Sequence, residues 1–259
     1  MNCGGVIRTD SPTCGSNQQV KGNGNSNNRR RSRRETCEKN LVREDEFVTT
    51  RSPLKPLNTH QADYLQAILS SPQVVGLGPA GTGKSYVAAV LAADLYRLRD
   101  VSRIIITRPN VPGGRSLGYF PGTLEEKFGP WAAQMVGDIK DRLGESFFNH
   151  AFRKGQIEFC PFEVMRGRSW DNAFILLDEA QNTTPDEMKL FLTRTGEHSK
   201  VVVNGDLRQS DVGQFNGLQK MIDLIDHHDL PVPVIRFTFD DIVRSGLCKQ
   251  WVLAFEGEL

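Results

Sequence analysis

QVVGLGPAGTGKSYVAAVLAADLYRLR, residues 73–99, is the stretch of this sequence that decides the fold. Residues 73–77 form a short apolar run that predicts a buried strand, and residues 85–99 predict a helix that is apolar nearly all round. The pattern GxxxxGK[ST] stands between them and consists of Gly78, Pro79, Ala80, Gly81, Thr82, Gly83, Lys84 and Ser85. A phosphate-binding loop requires this order of strand, glycine-rich turn and helix. We therefore predict a P-loop here in preference to a chance glycine-rich turn.

The residues at the end of this loop indicate which ligands it binds. Glycines allow backbone amides to surround phosphate oxygens, and the start of the following helix adds a positive end. Lys84 is expected to reach the β- and γ-phosphates, and the Ser85 hydroxyl is expected to bind Mg²⁺. The predicted ligands are therefore ATP and Mg²⁺.

A second motif, FILLDEAQ at residues 174–181, ends an apolar run in two acidic residues. Ligands of open α/β sheets bind at the carboxyl ends of the strands, so both acids are expected at that edge. We expect Asp178 to hold the Mg²⁺ hydration shell and Glu179 to orient and deprotonate the attacking water. An ordinary strand end with a solvated acid pair is disfavoured by the P-loop upstream. Strand sequence between the two motifs, such as Ile104–Thr107, indicates the nucleoside triphosphatases that have an additional catalytic strand.

A third motif, NGDLRQ at residues 204–209, also follows an apolar run. A glutamine at this position, Gln209, can hydrogen-bond the γ-phosphate and the attacking water. A plain strand-to-loop turn that uses Gly205 and Asp206 explains the same residues equally well. Both interpretations stay open at this point.

The remaining pattern alternates strands and helices. Strands are predicted at 102–107, 156–160, 172–178, 200–206 and 234–239. Helices are predicted at 60–70, from a Thr123 cap to an interruption at Gly129–Pro130, from there to about Leu143, and from a Thr184 cap onward. Continuous apolar strands that alternate with helices are typical of a mostly parallel sheet. We predict a single α/β domain with helices on both faces of its sheet.

The first 50 residues differ in composition from the rest. Gly, Ser, Asn, Gln and Arg dominate there, and large apolar residues are scarce. Such a segment cannot bury enough surface to offset its ordering entropy, so we predict a disordered tail at 1–50 and a domain at 51–259. The tail contains a basic run of Arg29, Arg30, Arg31, Arg33 and Arg34. This run is either a nucleic-acid contact or a solvated segment.

Composition excludes several classes of protein. The net charge is +1, from 32 basic and 31 acidic residues, so it does not identify a partner. The five cysteines form no CxxC pair, which argues against a disulfide framework or a zinc site and fits a reducing compartment. No apolar run reaches the roughly 18 residues of a membrane span, and the first residues contain no apolar signal-peptide core. We expect a cytoplasmic protein without a membrane partner.

Four long segments of the sequence carry a family resemblance. They are GPAGTGKS (78–85), ITRPNVPGGRSLGYFPGTLEEK (106–127), MRGRSWDNAFILLDEAQNTTPDEMKLFLTR (165–194) and VVVNGDLRQ (201–209). In this order they resemble the PhoH-like family of ATPases over roughly residues 57–250. The resemblance implies a RecA-like domain related to the first domain of superfamily-one helicases. The chain departs from the family pattern at Ser85, where threonine is usual, and at Ser245–Gly246.

The resemblance also implies roles for individual residues and for the whole chain. Gln61 corresponds to the adenine-reading glutamine, and Arg244 lies in a segment where the family has an arginine. The implied activity is ATP hydrolysis coupled to RNA or single-stranded nucleic acid, with an ATP-gated switch or assembly factor as the alternative. Because the chain shows one such core, we expect a homo-oligomeric ring, with six copies as the expected number. Arg244 would then act on a neighbour's nucleotide, unless it pairs locally with Asp240 or Asp241.

Weaker candidates lie in loops near the predicted nucleotide edge. The loop 108–122 is rich in glycine and proline, and long loops at a sheet edge are often functional. Three arginines bind a nucleic-acid backbone or else pair with nearby glutamates, and both interpretations stay open. These arginines are Arg108, Arg166 and Arg168, and the glutamates are Glu125, Glu126 and Glu163. Trp131 and Trp170 are predicted to pack and not to stack on bases.

Overall fold

The computed structural model describes residues 52–109, 124–162, 165–213 and 215–257. The helices are α1 (Thr59–Ser70), α2 (Lys84–Arg97), α3 (Leu124–Leu143), α4 (Glu145–Arg153), α5 (Pro185–Leu192), α6 (Gly217–His228) and α7 (Gly246–Glu256). The strands are β1 (Gln73–Leu77), β2 (Arg103–Thr107), β3 (Ile157–Phe159), β4 (Ala173–Leu177), β5 (Lys200–Gly205) and β6 (Val234–Arg236). This order confirms the predicted α/β class.

All strand pairs in the described sheet are parallel, in the order β3-β2-β4-β5-β1-β6. The strand inserted between β1 and β4 is β5, which pairs Gly205 with Leu77 on one side and Val203 with Leu177 on the other. β2 precedes β4 in the chain but lies on its far side, so Ile104–Thr107 is not the inserted strand. The carboxyl ends of β1, β5 and β4 consequently lie side by side at one edge.

Apolar side chains pack against both faces of the sheet. One cluster joins α1, α2, α3 and α4 to the sheet through residues such as Tyr64, Ile104 and Ile139. The other joins α5 and α6 through residues such as Phe191 and Ile222. The predicted arrangement of helices on both faces is therefore confirmed. Within the described residues, no helix combines the length and apolar character that crossing a bilayer demands.

Two local predictions are wrong. α3 continues through Gly129–Pro130, although the proline removes its N–H from the helical ladder and crowds the carbonyl one turn earlier. Burial of Ala132, Met135 and Ile139 in the later turns offsets this cost. β6 ends at Arg236, and residues 239–241 form a 3₁₀ turn in place of a longer strand. The predicted Thr123 cap lies outside the described residues.

The predicted start of α5 is confirmed. The Thr184 hydroxyl accepts from the Glu187 N–H at 3.3 Å, and the Glu187 carboxylate accepts from the Thr184 N–H at 2.8 Å. This reciprocal capping box fixes the first turn directly after the Asp178–Gln181 segment. It therefore sets where the chain leaves the edge that carries the acidic pair.

Candidate nucleotide-binding site

The P-loop turns sharply between β1 and α2. Gly78, Gly81 and Gly83 have φ values of +138°, +85° and +84°, a region that side chains disfavour. At Gly78 an added Cβ would lie 2.5 Å from the backbone oxygen of Phe237. The Gly78 N–H donates to the Gly205 oxygen at 3.1 Å, which ties the loop to the end of β5. The glycines of the motif are therefore required by backbone geometry and close packing.

Lys84 lies at the first position of α2 and is 8% exposed. Its Nζ donates to the Gly78 and Pro79 oxygens at 2.7 and 2.8 Å and to Thr82 Oγ1 at 3.2 Å. Burial lowers the pKa of Lys84, and the nearby carboxylates, with Asp206 first among them, partly offset this shift. The ammonium is thus held inside the loop, where a phosphate oxygen would compete with these acceptors.

Ser85, in the first turn of α2, meets Asp178, which follows the carboxyl end of β4. The Ser85 hydroxyl donates to Asp178 Oδ1 at 2.7 Å across 93 positions of sequence. The pKa of Asp178 is raised, because the effect of burial outweighs the Ser85 hydrogen bond and the charges of Arg108 and Lys84, which lower it. A hydroxyl and a carboxylate at this separation fit Mg²⁺, which prefers oxygen ligands and retains several waters.

Glu179 has an unusual backbone conformation. Its φ of +55° and ψ of +41° place a non-glycine residue in the left-handed region, which costs about 1–3 kcal/mol and is common at active sites. Its carboxylate accepts from Gln181 Nε2 at 2.6 Å and lies 3.6 Å from the Arg108 guanidinium. Among the described residues Arg108 therefore pairs with Glu179, and the side chains of the three glutamates considered from the sequence lie outside that part of the chain.

Gln181 connects the acidic pair to the end of β5. Its side chain is 1% exposed, and its Oε1 accepts from the Asp206 N–H at 3.0 Å while its Nε2 donates to Glu179. Gln181 ends the FILLDEAQ motif, and the motif alone predicts no separate role for it. The amide side chain was the available signal, because a buried glutamine needs partners for both its donor and its acceptor.

Gln209 and Gln61 both line the same cavity as the P-loop. Gln209 is exposed and ends a 3₁₀ turn that the Asp206 carboxylate caps by accepting from the Arg208 N–H at 3.1 Å. The turn predicted at Gly205 and Asp206 is therefore present, and the phosphate contact of Gln209 remains a prediction. Gln61 is 3% exposed; its Nε2 donates to the Thr82 oxygen and its Oε1 accepts from the Leu57 N–H, both at 2.9 Å. Its amide thus fastens α1 to the P-loop, and its adenine-reading role stays a prediction.

Arg244 also lines this cavity. The two acids proposed as local partners contact other groups, since Asp240 lies 3.8 Å from Lys249 Nζ and Asp241 lies 2.8 Å from His60 Nδ1. Among the described residues, neither forms an ion pair with Arg244 within 4.0 Å. The local pairing of Arg244 with Asp240 or Asp241, the alternative considered from the sequence, is therefore not found.

The cavity has a volume of about 710 Å³. It unites the three sequence motifs, since residues of all three line it. The lining includes Gln61, Gly78, Ala80, Gly81, Gly83, Lys84, Ser85, Arg108, Asp178, Glu179, Gly205, Asp206, Gln209 and Arg244. Its size is within the usual range for small-molecule sites. Parallel strand order brings together residues that the sequence separates by more than 150 positions.

Several weaker candidates lie elsewhere. Arg166 and Arg168 do not line the cavity; Arg168 pairs with Glu158 and lies 5.3 Å from the Trp170 ring centroid. Trp170 is 1% exposed, so its predicted packing role is confirmed. The Trp131, Glu125, Glu126 and Glu163 side chains, the loop from residue 110 to 122 and the arginines at 29–34 lie outside the described residues.

Comparison with known proteins identifies relatives over most of the chain. A sequence model of the family described as PhoH-like protein matches residues 53–256. Protein PhoH of Escherichia coli strain K12 is 40% identical over 208 residues, which cover 79% of this chain and 58% of that protein. The PhoH-like protein of Mycobacterium tuberculosis strain H37Rv is 41% identical over 204 residues, with coverages of 78% and 58%. The chain thus spans less than two thirds of these relatives' lengths.

A solved structure shares the architecture. The large terminase of bacteriophage HK97 aligns with a TM-score of 0.51 and 14% identity over 82% of this chain and 49% of that chain. At that identity the likeness concerns the fold alone. The family match, by contrast, covers both the P-loop and the acidic pair and exceeds half of the chain. The chain therefore belongs to the PhoH-like family and has a P-loop nucleoside triphosphatase fold.

Proposed function

We propose that the protein is a Mg²⁺-dependent ATPase that hydrolyses the γ-phosphate bond at the carboxyl edge of its sheet. The observation that carries this proposal is the meeting of Lys84, Ser85, Asp178 and Glu179 in one cavity. A buried lysine, a hydroxyl bonded to one carboxylate and a second carboxylate thereby line one cavity, which supports phosphate binding, metal binding and proton transfer at the same place. A P-loop kinase would not need a carboxylate to activate water, so Glu179 favours hydrolysis.

The proposed mechanism assigns one task to each residue. The P-loop amides and Lys84 bind the phosphates. Ser85 and Asp178 would hold Mg²⁺, which would neutralise phosphate charge when bound. Glu179 accepts a proton from water as the water oxygen bonds to the γ-phosphorus and the bond to the leaving ADP oxygen breaks. Gln181 orients the Glu179 carboxylate, and Gln209 contacts the γ-phosphate from the neighbouring strand end.

Release of inorganic phosphate from ATP tests this function directly. The purified chain should release phosphate in Mg²⁺ and lose that activity when EDTA removes the metal. Restoring excess Mg²⁺ is the control, since it separates metal dependence from damage by the chelator. Phosphate release that is unaffected by EDTA would contradict the proposed metal site.

We propose RNA or single-stranded nucleic acid as the partner to which hydrolysis is coupled. The family resemblance and the five arginines at 29–34 support this assignment. The alternative is an ATP-gated switch that works without nucleic acid in a cytoplasmic assembly. RNA added to the ATPase reaction should raise turnover under the first proposal, and turnover that is insensitive to RNA and single-stranded DNA favours the second.

A homo-oligomeric ring, with six copies expected, completes the proposal. α7 begins two residues after Arg244 and exposes Leu247, Trp251 and Phe255 along one face, at 67, 59 and 86% of their surface. Three large apolar side chains at i, i+4 and i+8 form a continuous stripe, and a second copy of the chain would cover it at the nucleotide edge. Light scattering tests the ring, and a monomer with full activity would contradict it.

A further inference from the structure

The segment that follows β6 is bonded directly to the P-loop. The Val243 N–H donates to the Gly81 oxygen at 3.0 Å. A Val243 methyl would lie 4.0 Å from a Cβ placed on Gly83, so the segment passes alongside the loop. The next residue, Arg244, therefore starts from the rim of its own subunit's phosphate site.

The Arg244 side chain lies across Gly81. A Cβ added to Gly81 would be 2.7 Å from Arg244 Nε and 2.9 Å from Cδ, both closer than real contacts allow. The absence of a side chain at Gly81 thus leaves the space that Arg244 occupies. The same cavity contains Arg244, Lys84 and Asp178.

The charge of Arg244 is not neutralised by a described carboxylate within 4.0 Å. Its hydrogen bond goes from Nη1 to Cys248 Sγ, at 3.9 Å, and the side chain is exposed. A guanidinium binds phosphate oxygens in a bidentate manner, which a thiol sulfur cannot replace. The Arg244 guanidinium is therefore available to bind an anion at the edge of the phosphate loop.

Asp241 holds this segment in place. It is 6% exposed and accepts from the Thr238 N–H at 2.7 Å, from the Thr238 hydroxyl at 3.1 Å and from His60. Burial opposes its ionisation, but these hydrogen bonds outweigh burial and lower its pKa. Because His60 and Gln61 both lie in the first turn of α1, the Arg244 segment and α1 are fastened together on one side of the P-loop.

We propose that Arg244 binds the phosphate chain of the nucleotide held by its own subunit, and that it is not donated to a neighbour. This inference rests on the proposed function, because it requires ATP at the P-loop. It assigns Arg244 as a nucleotide-binding residue in cis, next to the backbone amides of the loop. Action of Arg244 in trans, which was expected from the sequence, predicts the opposite result when variant subunits are mixed.

Binding of a non-hydrolysable ATP analogue to separate variants tests the proposal. Arg244→Ala should weaken binding by about 10- to 100-fold, the range expected for lost hydrogen bonds to a charged group. Arg244→Lys should lose less, because it keeps the charge without the planar fork. Lys249→Ala is the matched control, since it removes a cation from α7 outside the cavity, and it should bind as the unmodified chain does.

Mixing subunits separates cis from trans action. Lys84→Ala subunits retain Arg244, and Arg244→Ala subunits retain the P-loop lysine. Action in cis predicts no recovery of ATPase activity in proven co-assemblies, since no subunit has both groups. Recovery on mixing, or unchanged analogue binding by Arg244→Ala, would overturn the inference. If the unmodified chain binds no nucleotide, the proposed function itself fails. If Arg244→Ala binds the analogue normally while Lys84→Ala binds it poorly, only the cis role of Arg244 is rejected.

Discussion

At the scale of single residues, Lys84 is held by three acceptors of its own loop. Lys84→Ala should abolish hydrolysis and sharply weaken ATP binding, because it removes the cation enclosed by the P-loop. Phosphate release and equilibrium binding measure the two effects. Lys220→Ala, on the exposed side of α6, is the matched control and should leave both unchanged. Normal turnover by Lys84→Ala would contradict the assignment of the site.

The sequence is informative about single residues whose motif fixes their position. Lys84, Ser85 and Asp178 were predicted to serve one site, and the structure brings them together. The contacts that orient Glu179 were not predicted, because they come from Arg108, directly after β2, and from the Gln181 amide two positions along the chain. Such contacts depend on side-chain directions that local patterns do not contain.

At the scale of elements, Gln181 links the end of β4 to the end of β5. Gln181→Ala would leave the buried Asp206 N–H unpaired, so we expect a loss of about 1–3 kcal/mol in the free energy of unfolding. Hydrolysis should also fall, since Glu179 loses its hydrogen-bond donor. Chemical denaturation measures the first effect and phosphate release the second.

The matched control for this variant is Gln219→Ala. Gln219 also bonds through its amide, to Asp223 at 2.8 Å, but that pair is exposed on α6. A surface substitution of this kind should change stability by no more than about 0.5 kcal/mol. Equal stability of the Gln181 and Gln219 variants would show that the link between the two strands is unimportant.

The elements themselves were predicted unequally well. β1 was predicted at its observed bounds, because its apolar run is bordered by proline and glycine. The continuity of α3 through Pro130 was missed, since burial of later turns outweighed one lost hydrogen bond. The position of β5 between β1 and β4 was also missed, because chain order does not determine the lateral order of parallel strands.

At the scale of the whole molecule, the basic tail is predicted to bind nucleic acid. Deletion of residues 1–50 should leave basal ATPase activity intact and weaken RNA binding. The slope of the logarithm of the binding constant against the logarithm of the salt concentration should become shallower by about 0.7 for each lost phosphate contact. Binding measured across a range of salt concentrations gives this slope. Substitution of the five arginines by lysine is the control, because it keeps the charge. An unchanged slope after the deletion would show that the tail does not bind RNA phosphates.

The central claim is that Glu179 accepts the proton from the water that attacks ATP. The most direct measurement compares ATP binding and single-turnover hydrolysis in Glu179→Gln and in Glu197→Gln, an exposed control on the loop before β5. Glu179→Gln should bind ATP normally and hydrolyse it about 10²–10⁴ times more slowly, because its amide keeps the shape but accepts no proton. The control should match the unmodified chain. Hydrolysis by Glu179→Gln at the unmodified rate would contradict the account.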